Sequence, residues 1–159
     1  MSYPVNGLPS GITWTQYYGI VSPSSTPIQP GGAVSFPNAG TSVGAMGQSF
    51  PTMVSPTVVA ITSGTWRIVW QVGIQGPGQL GLSYYTTNPD FNTLISSSVV
   101  GSNWGHQQLS GDLLLVVPPS TTYNMSLINP SSNIGNVLLL VAGIGGISVC
   151  NTITYECLW

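Results

Sequence analysis

Charge is almost missing from this chain. Of 159 residues only Arg67, Asp90, Asp112 and Glu156 carry a formal charge, 3% of the total, where a soluble domain carries about 25%. Lysine is absent and the net charge is −2, which excludes a basic nucleic-acid surface. Long hydrophobic runs are missing too. The longest, such as 137–142, fall far short of the roughly 20 apolar residues of a membrane-spanning helix. The strands are also too few and too broken by proline for a transmembrane barrel. Disorder pairs low hydrophobicity with high charge, and this chain is 42% hydrophobic. What fits is a folded β-domain with one core, partly covered by copies of itself and elsewhere faced with Ser, Thr, Asn, Gln and Gly. No charged segment precedes an apolar stretch at the start, so no secretory signal peptide is expected. Arrival on an extracellular surface would then require lysis, assembly in a mother cell, or a virion.

The usual ingredients of catalysis are equally scarce. One histidine, one arginine and three carboxylates leave little for acid, base or nucleophilic roles. His106, Asp112 and a serine could make a triad, but no Gly-x-Ser-x-Gly elbow is present; a polar loop with a turn-capping Asp112 is the expectation. Asp90 with Asn88 and Asn92 could offer oxygens to calcium, although Asn88-Pro89-Asp90 has the composition of a plain turn. Gly143-Ile144-Gly145-Gly146 has neither the helix nor the lysine of a phosphate loop. No cofactor, metal or enzymatic activity is expected. Arg67 is expected to pair with one of the three carboxylates within an assembly, as a specificity device more than a source of stability.

Cysteine is limited to Cys150 and Cys157. On one continuous strand over 147–158 they would lie about 23 Å apart, beyond the roughly 7 Å that a disulfide spans. Buried thiols, intermolecular bridges, or a fold-back of the strand remain the alternatives.

What the chain does contain is alternation. Over 64–85, Trp66, Ile68, Trp70, Val72 and Ile74 share one parity and Arg67, Val69, Gln71 and Gly73 the other, the period of a β-strand. Gly76-Pro77-Gly78 then breaks the run before Leu80, Leu82 and Tyr84, which predicts a hairpin at the centre of the fold. Further strands are predicted at 33–36, 58–62, 94–100, 113–117, 123–128, 137–142 and 147–158. Clusters of Pro, Gly, Asn and Ser separate them. The expected fold is all-β, a two-sheet jelly-roll sandwich of about eight to ten antiparallel strands. Strands 113–117 and 137–141 are apolar on both faces, whereas a sandwich strand normally buries one. A neighbouring subunit is the simplest cover for the second face; loops or an N-terminal arm are the alternative. Residues 1–30 hold five prolines and are expected to form an extended arm, with the domain over 31–159. Within the arm, Trp14, Tyr17 and Tyr18 are candidates for docking on a neighbour, unless this segment is itself the first strand.

The order of these features resembles the trimeric jelly rolls of the tumour-necrosis-factor and complement-1q-like superfamily, above all the C-terminal domains of Bacillus exosporium collagen-like glycoproteins. The residues that carry the likeness are the strand at 58–61, Gly64-Thr65-Trp66, Leu109-Ser110-Gly111-Asp112-Leu113, Tyr123-Asn124-Met125-Ser126-Leu127 and Gly146-Ile147-Ser148-Val149. The resemblance covers about residues 31–159, without a collagen-like Gly-X-Y tract before it. It implies a homotrimer packed about apolar and aromatic residues, with a structural or recognition role on a spore or other extracellular surface. Candidates for those contacts are Trp66, Trp70, Leu113, Leu115, Val117, Leu138, Leu140 and Tyr155. A virion decoration or spike protein, or a receptor- or glycan-binding module using Tyr84, Tyr85 and Trp104, is the alternative.

Overall fold

The computed structural model describes residues 13–19, 27–36, 42–43, 51–87, 94–101, 105–133, 135–140 and 151–158. They form nine strands: β1 (Thr13–Gly19), β2 (Ser42–Val43), β3 (Thr52–Ser55), β4 (Val58–Gln75), β5 (Gly78–Tyr85), β6 (Ser96–Val100), β7 (His106–Ile128), β8 (Leu138–Leu139) and β9 (Asn151–Cys157). Hydrogen bonding links them in the order β2-β1-β9-β4-β7-β5-β6, with β3 and β8 also on β4. Every described pairing is antiparallel.

The fold turns on β4 and β7. They have 18 and 23 residues, several times the usual strand length of about 5–6, and they pair with each other along almost their whole extent. One corner interrupts the ladder. Thr62 pairs with Thr122 and Gly64 with Val117, so residue 63 alone stands opposite residues 118–121. Pro118 and Pro119 cannot donate to a ladder, and Gly64 (φ 144°) and Ser120 (φ 58°) take up the left-handed half of backbone space. The long ribbon therefore bends here into two layers. The second half of β4 and the first half of β7 join β9, β1 and β2. The first half of β4 and the second half of β7 join β3, β5 and β6. This is the two-sheet jelly roll that the alternating pattern implies.

Two expectations are corrected. The Gly76-Pro77-Gly78 turn does not close a hairpin, because β5 pairs with β6 and with β7. β4 has both of its edges occupied, by β7 on one side and by β9 and β8 on the other. With no edge left to pair with, the chain crosses from one layer to the other at Gly76 (φ 81°). The second concerns the segment at 13–19 as part of a docking arm, where the alternative of a first strand is what is found: Thr13–Gly19 pairs with β9 of the same chain through seven registered positions, from Thr13 with Cys157 to Gly19 with Asn151. The segment of Trp14, Tyr17 and Tyr18 is thus a strand of the sandwich itself. β9 also runs unbroken from Asn151 to Cys157, so nothing folds back within it; Cys150 lies outside the described residues.

The core lies between the layers. Trp66, Ile68, Trp70, Val72 and Ile74 are all fully buried, and they meet Ile61, Leu80, Leu82, Met125 and Leu127 of the other layer's strands in one cluster. Both indoles find acceptors, as buried tryptophans require: Trp66 Nε1 donates to the Thr62 carbonyl at 2.8 Å and Trp70 Nε1 to Ser96 Oγ at 3.4 Å. The second bond reaches across the sandwich. Trp70 also explains Gly111, its registered partner on β7, because a Cβ there would collide with the indole and with Ser96 Oγ.

Candidate self-association face

Antiparallel partners share a face, so the register of β9, β4 and β7 lays out the outer surface of the first sheet row by row. Arg67 stands between Glu156 and Leu114, Val69 between Thr154 and Asp112, and Gln71 between Thr152 and Ser110. Three of the four formally charged residues thus share one sheet face; the fourth, Asp90, lies outside the described residues. Exposure rises across the face from β9 to β7: Glu156 keeps 7% of its surface, Val69 37%, Leu114 64% and Val116 67%. Leu114 and Val116 are large apolar side chains standing in solvent on a strand whose other face builds the core.

The polar groups of the face are organised among themselves. Arg67 grips Asp112 with two bonds, Nε to Oδ1 at 3.1 Å and Nη2 to Oδ2 at 2.7 Å. Gln108 Nε2 donates to Gln71 Oε1 at 2.9 Å. The Arg67 guanidinium holds the Asp112 carboxyl below its ordinary range through these bonds. Burial pushes Glu156 upward, with Arg67 opposing the shift. The two groups therefore act with opposite signs. Asp112, depressed in the folded state, contributes stability above its unfolded pKa, and this is lost as pH falls through the folded one. Glu156, raised in the folded state, favours folding at low pH, and that contribution is lost as pH rises through its folded pKa. A carbon-13 carboxyl titration should place Asp112 below the ordinary aspartate range and Glu156 above the ordinary glutamate range. In Arg67→Met both midpoints should rise. An ordinary midpoint for Asp112 would mean that the pair is not held in solution.

The residues expected at a subunit contact divide by depth. Trp66, Trp70, Val117 and Tyr155 are between 0% and 2% exposed within the single chain, so the chain's own core encloses them and they present no surface to a partner. Leu113 and Leu115 turn the same way, half-buried against that core. Leu138 and Leu140 are half-buried, and the Leu140 amide donates to the Gly73 carbonyl at 2.9 Å. The outward residues of the doubly apolar strand are its alternate members, Leu114 and Val116. Asp112 carried the missing signal. A carboxylate beside Leu113 must face water, and a period of two then sends Leu114 and Val116 out with it.

Other candidates lie elsewhere. Tyr84, on β5, stacks on Tyr123 with ring centroids 4.2 Å apart, and Tyr85 offers its carbonyl to Asn124; both residues are half-buried. Trp104, Asn88, Asn92 and the glycines at 143–146 lie outside the described residues. His106 pairs with Gln75 at the start of β7, six residues before Asp112. That spacing is roughly 20 Å of extended strand, so the two cannot meet in a triad, and Asp112 is committed to Arg67.

No protein-family model matches the chain, and no curated protein matches it significantly. Solved structures do. The globular domain of zebrafish complement 1qA superposes with a TM-score of 0.58 at 11% identity, over 92% of this chain and 96% of that one. Eiger TNF from S. frugiperda gives 0.61 at 9% identity, over 94% of each. Murine APRIL gives 0.51 at 8% identity, over 92% of this chain and 99% of that one. At such identities the likeness is one of fold, and the fold is the jelly roll of tumour-necrosis-factor and complement-1q globular domains.

Proposed function

We propose that this protein is a non-enzymatic, self-associating jelly-roll subunit of an extracellular surface assembly, and that it works as a homotrimer. The observation that supports the reading is the outer face of β4 and β7. There Leu114, Val116 and Val69 are exposed beside the Arg67–Asp112 pair, on a chain with almost no other charge to keep it apart from its copies. An apolar patch around a geometrically exacting ion pair suits a specific protein contact, the apolar groups contributing affinity and the pair fixing register. A place on a spore surface, or on a virion, belongs to the same proposal and rests on the resemblance to exosporium domains. Recognition of a receptor by the assembled trimer is the second reading, favoured by the likeness to Eiger TNF. Sedimentation equilibrium of the intact chain in dilute neutral buffer tests the proposal. The expected mass is three times the 16.6 kDa of the chain; a monomer at micromolar concentration would overturn it.

A further inference from the structure

A groove of about 540 Å³ opens at the end of the sandwich where β4 runs into β5, within the range of small-ligand sites. Gln75, Pro77 and Gln79 form one wall, Val99 another, and Asn136 and Val137 the third. No charged residue is among the described residues that line it. The third wall is preformed. Asn129, fully buried, donates from Nδ2 to the carbonyls of Ile28 (2.9 Å) and Gly135 (3.0 Å), and its Oδ1 accepts from Asn133 Nδ2 at 2.8 Å.

Of the four amide side chains among the described residues that line the groove, three differ from most other described amides. The side chains of Gln71, Gln108, Asn124, Asn129, Asn133 and Asn151 all hydrogen-bond within the chain. Those of Gln75, Gln79 and Asn136 have no partner among the described residues, yet all three line one groove. Each primary amide offers two donors and an acceptor. Beside them stand apolar surfaces, Pro77 and Val99, the latter 70% exposed. Among the described lining residues anions find no cation and cations no carboxylate, while a purely apolar ligand would leave the three free amides unused. A neutral saccharide answers every feature. Its hydroxyls both donate and accept, its C–H faces are apolar, and it carries no charge. An extended peptide would instead bond chiefly through its main chain to a backbone edge, leaving the three side-chain amides unused.

We infer that this groove is a binding site for a neutral saccharide, distinct from the self-association face. The site is open and no aromatic side chain is among its described lining residues, so affinity for a disaccharide is on the order of millimolar. The test is a nitrogen-15 NMR titration of the intact chain with cellobiose, chitobiose and lactose, alongside sialyllactose and a neutral alanine-rich hexapeptide. At least one neutral disaccharide should give saturable shifts of the Gln75, Gln79 and Asn136 side-chain amides. The same titration of a Gln79→Ala/Asn136→Ala variant should be weakened at least about tenfold, with an unchanged melting temperature. The inference is overturned if no neutral disaccharide gives saturable shifts. Shifts that survive in the double variant would overturn it as well, and so would tighter binding of the peptide or the acidic sugar.

Discussion

Leu114→Asp is expected to turn the proposed trimer into a folded monomer. In the single chain Leu114 is 64% exposed, and substitutions at such surface positions usually move stability by less than about 0.5 kcal/mol. In a trimer built on this face the change removes a buried leucine and places a carboxylate among apolar side chains. The loss is about 2 kcal/mol or more at each contact. Summed over three contacts, it weakens association by roughly four orders of magnitude. Sedimentation velocity reads the mass, and circular dichroism confirms that the sheet persists. Val54→Asp is the matched control, because Val54 is 61% exposed but sits on β3, in the other layer. It should leave the trimer intact. An unaltered trimer in Leu114→Asp would place the interface elsewhere.

Trp70→Ala should do the opposite, lowering stability while the molecules that remain folded keep the native mass. The indole is fully buried, bonds to Ser96 and packs across Gly111. Removing a buried tryptophan costs about 3–5 kcal/mol, a large share of the 5–15 kcal/mol that holds a typical domain together. With about 1–3 kcal/mol/M of urea sensitivity, the unfolding midpoint should fall by roughly 1–5 M. Gly111→Ala supplies the second arm of a double-mutant cycle. It should be strongly destabilising alone, because the new methyl meets the indole, and much milder once Trp70 has become alanine. A Trp70→Ala variant of undiminished stability that dissociates the trimer would return Trp70 to the subunit interface.

These two variants mark where pattern gave way to packing. The even-parity run from Trp66 to Ile74 identifies a strand face with certainty, because only a pleated chain puts alternate side chains on one side. Whether that face meets the chain's own second layer or another subunit is invisible to alternation, since both are apolar. The structure buries Trp66 and Trp70 inside the subunit. In Leu113-Leu114-Leu115-Val116-Val117 alternation is silent altogether, and orientation came from the neighbouring Asp112 and from register with Arg67. The misplaced hairpin has a similar origin: Gly76-Pro77-Gly78 specifies a reversal of direction, and a reversal between paired strands differs from a crossing between layers only in which edges are already occupied.

The sequence by itself determined that this is a β-protein with one core, that its strands are antiparallel runs divided at proline and glycine, and that ionisable groups are few. Those properties follow from local backbone chemistry, the period of the pleat and the inventory of ionisable groups. Tertiary structure alone decided which strands pair, that the segment of Trp14, Tyr17 and Tyr18 belongs to the sheet, and that Leu114 and Val116 face outward. It also brought Arg67, Asp112 and Glu156 onto one face, and Gln75, Gln79 and Asn136 into one groove. Each of these is a contact between residues far apart in the chain. Such contacts depend on which hydrogen-bonding edges and apolar faces remain free once the others are paired, a competition settled only when the whole chain is folded.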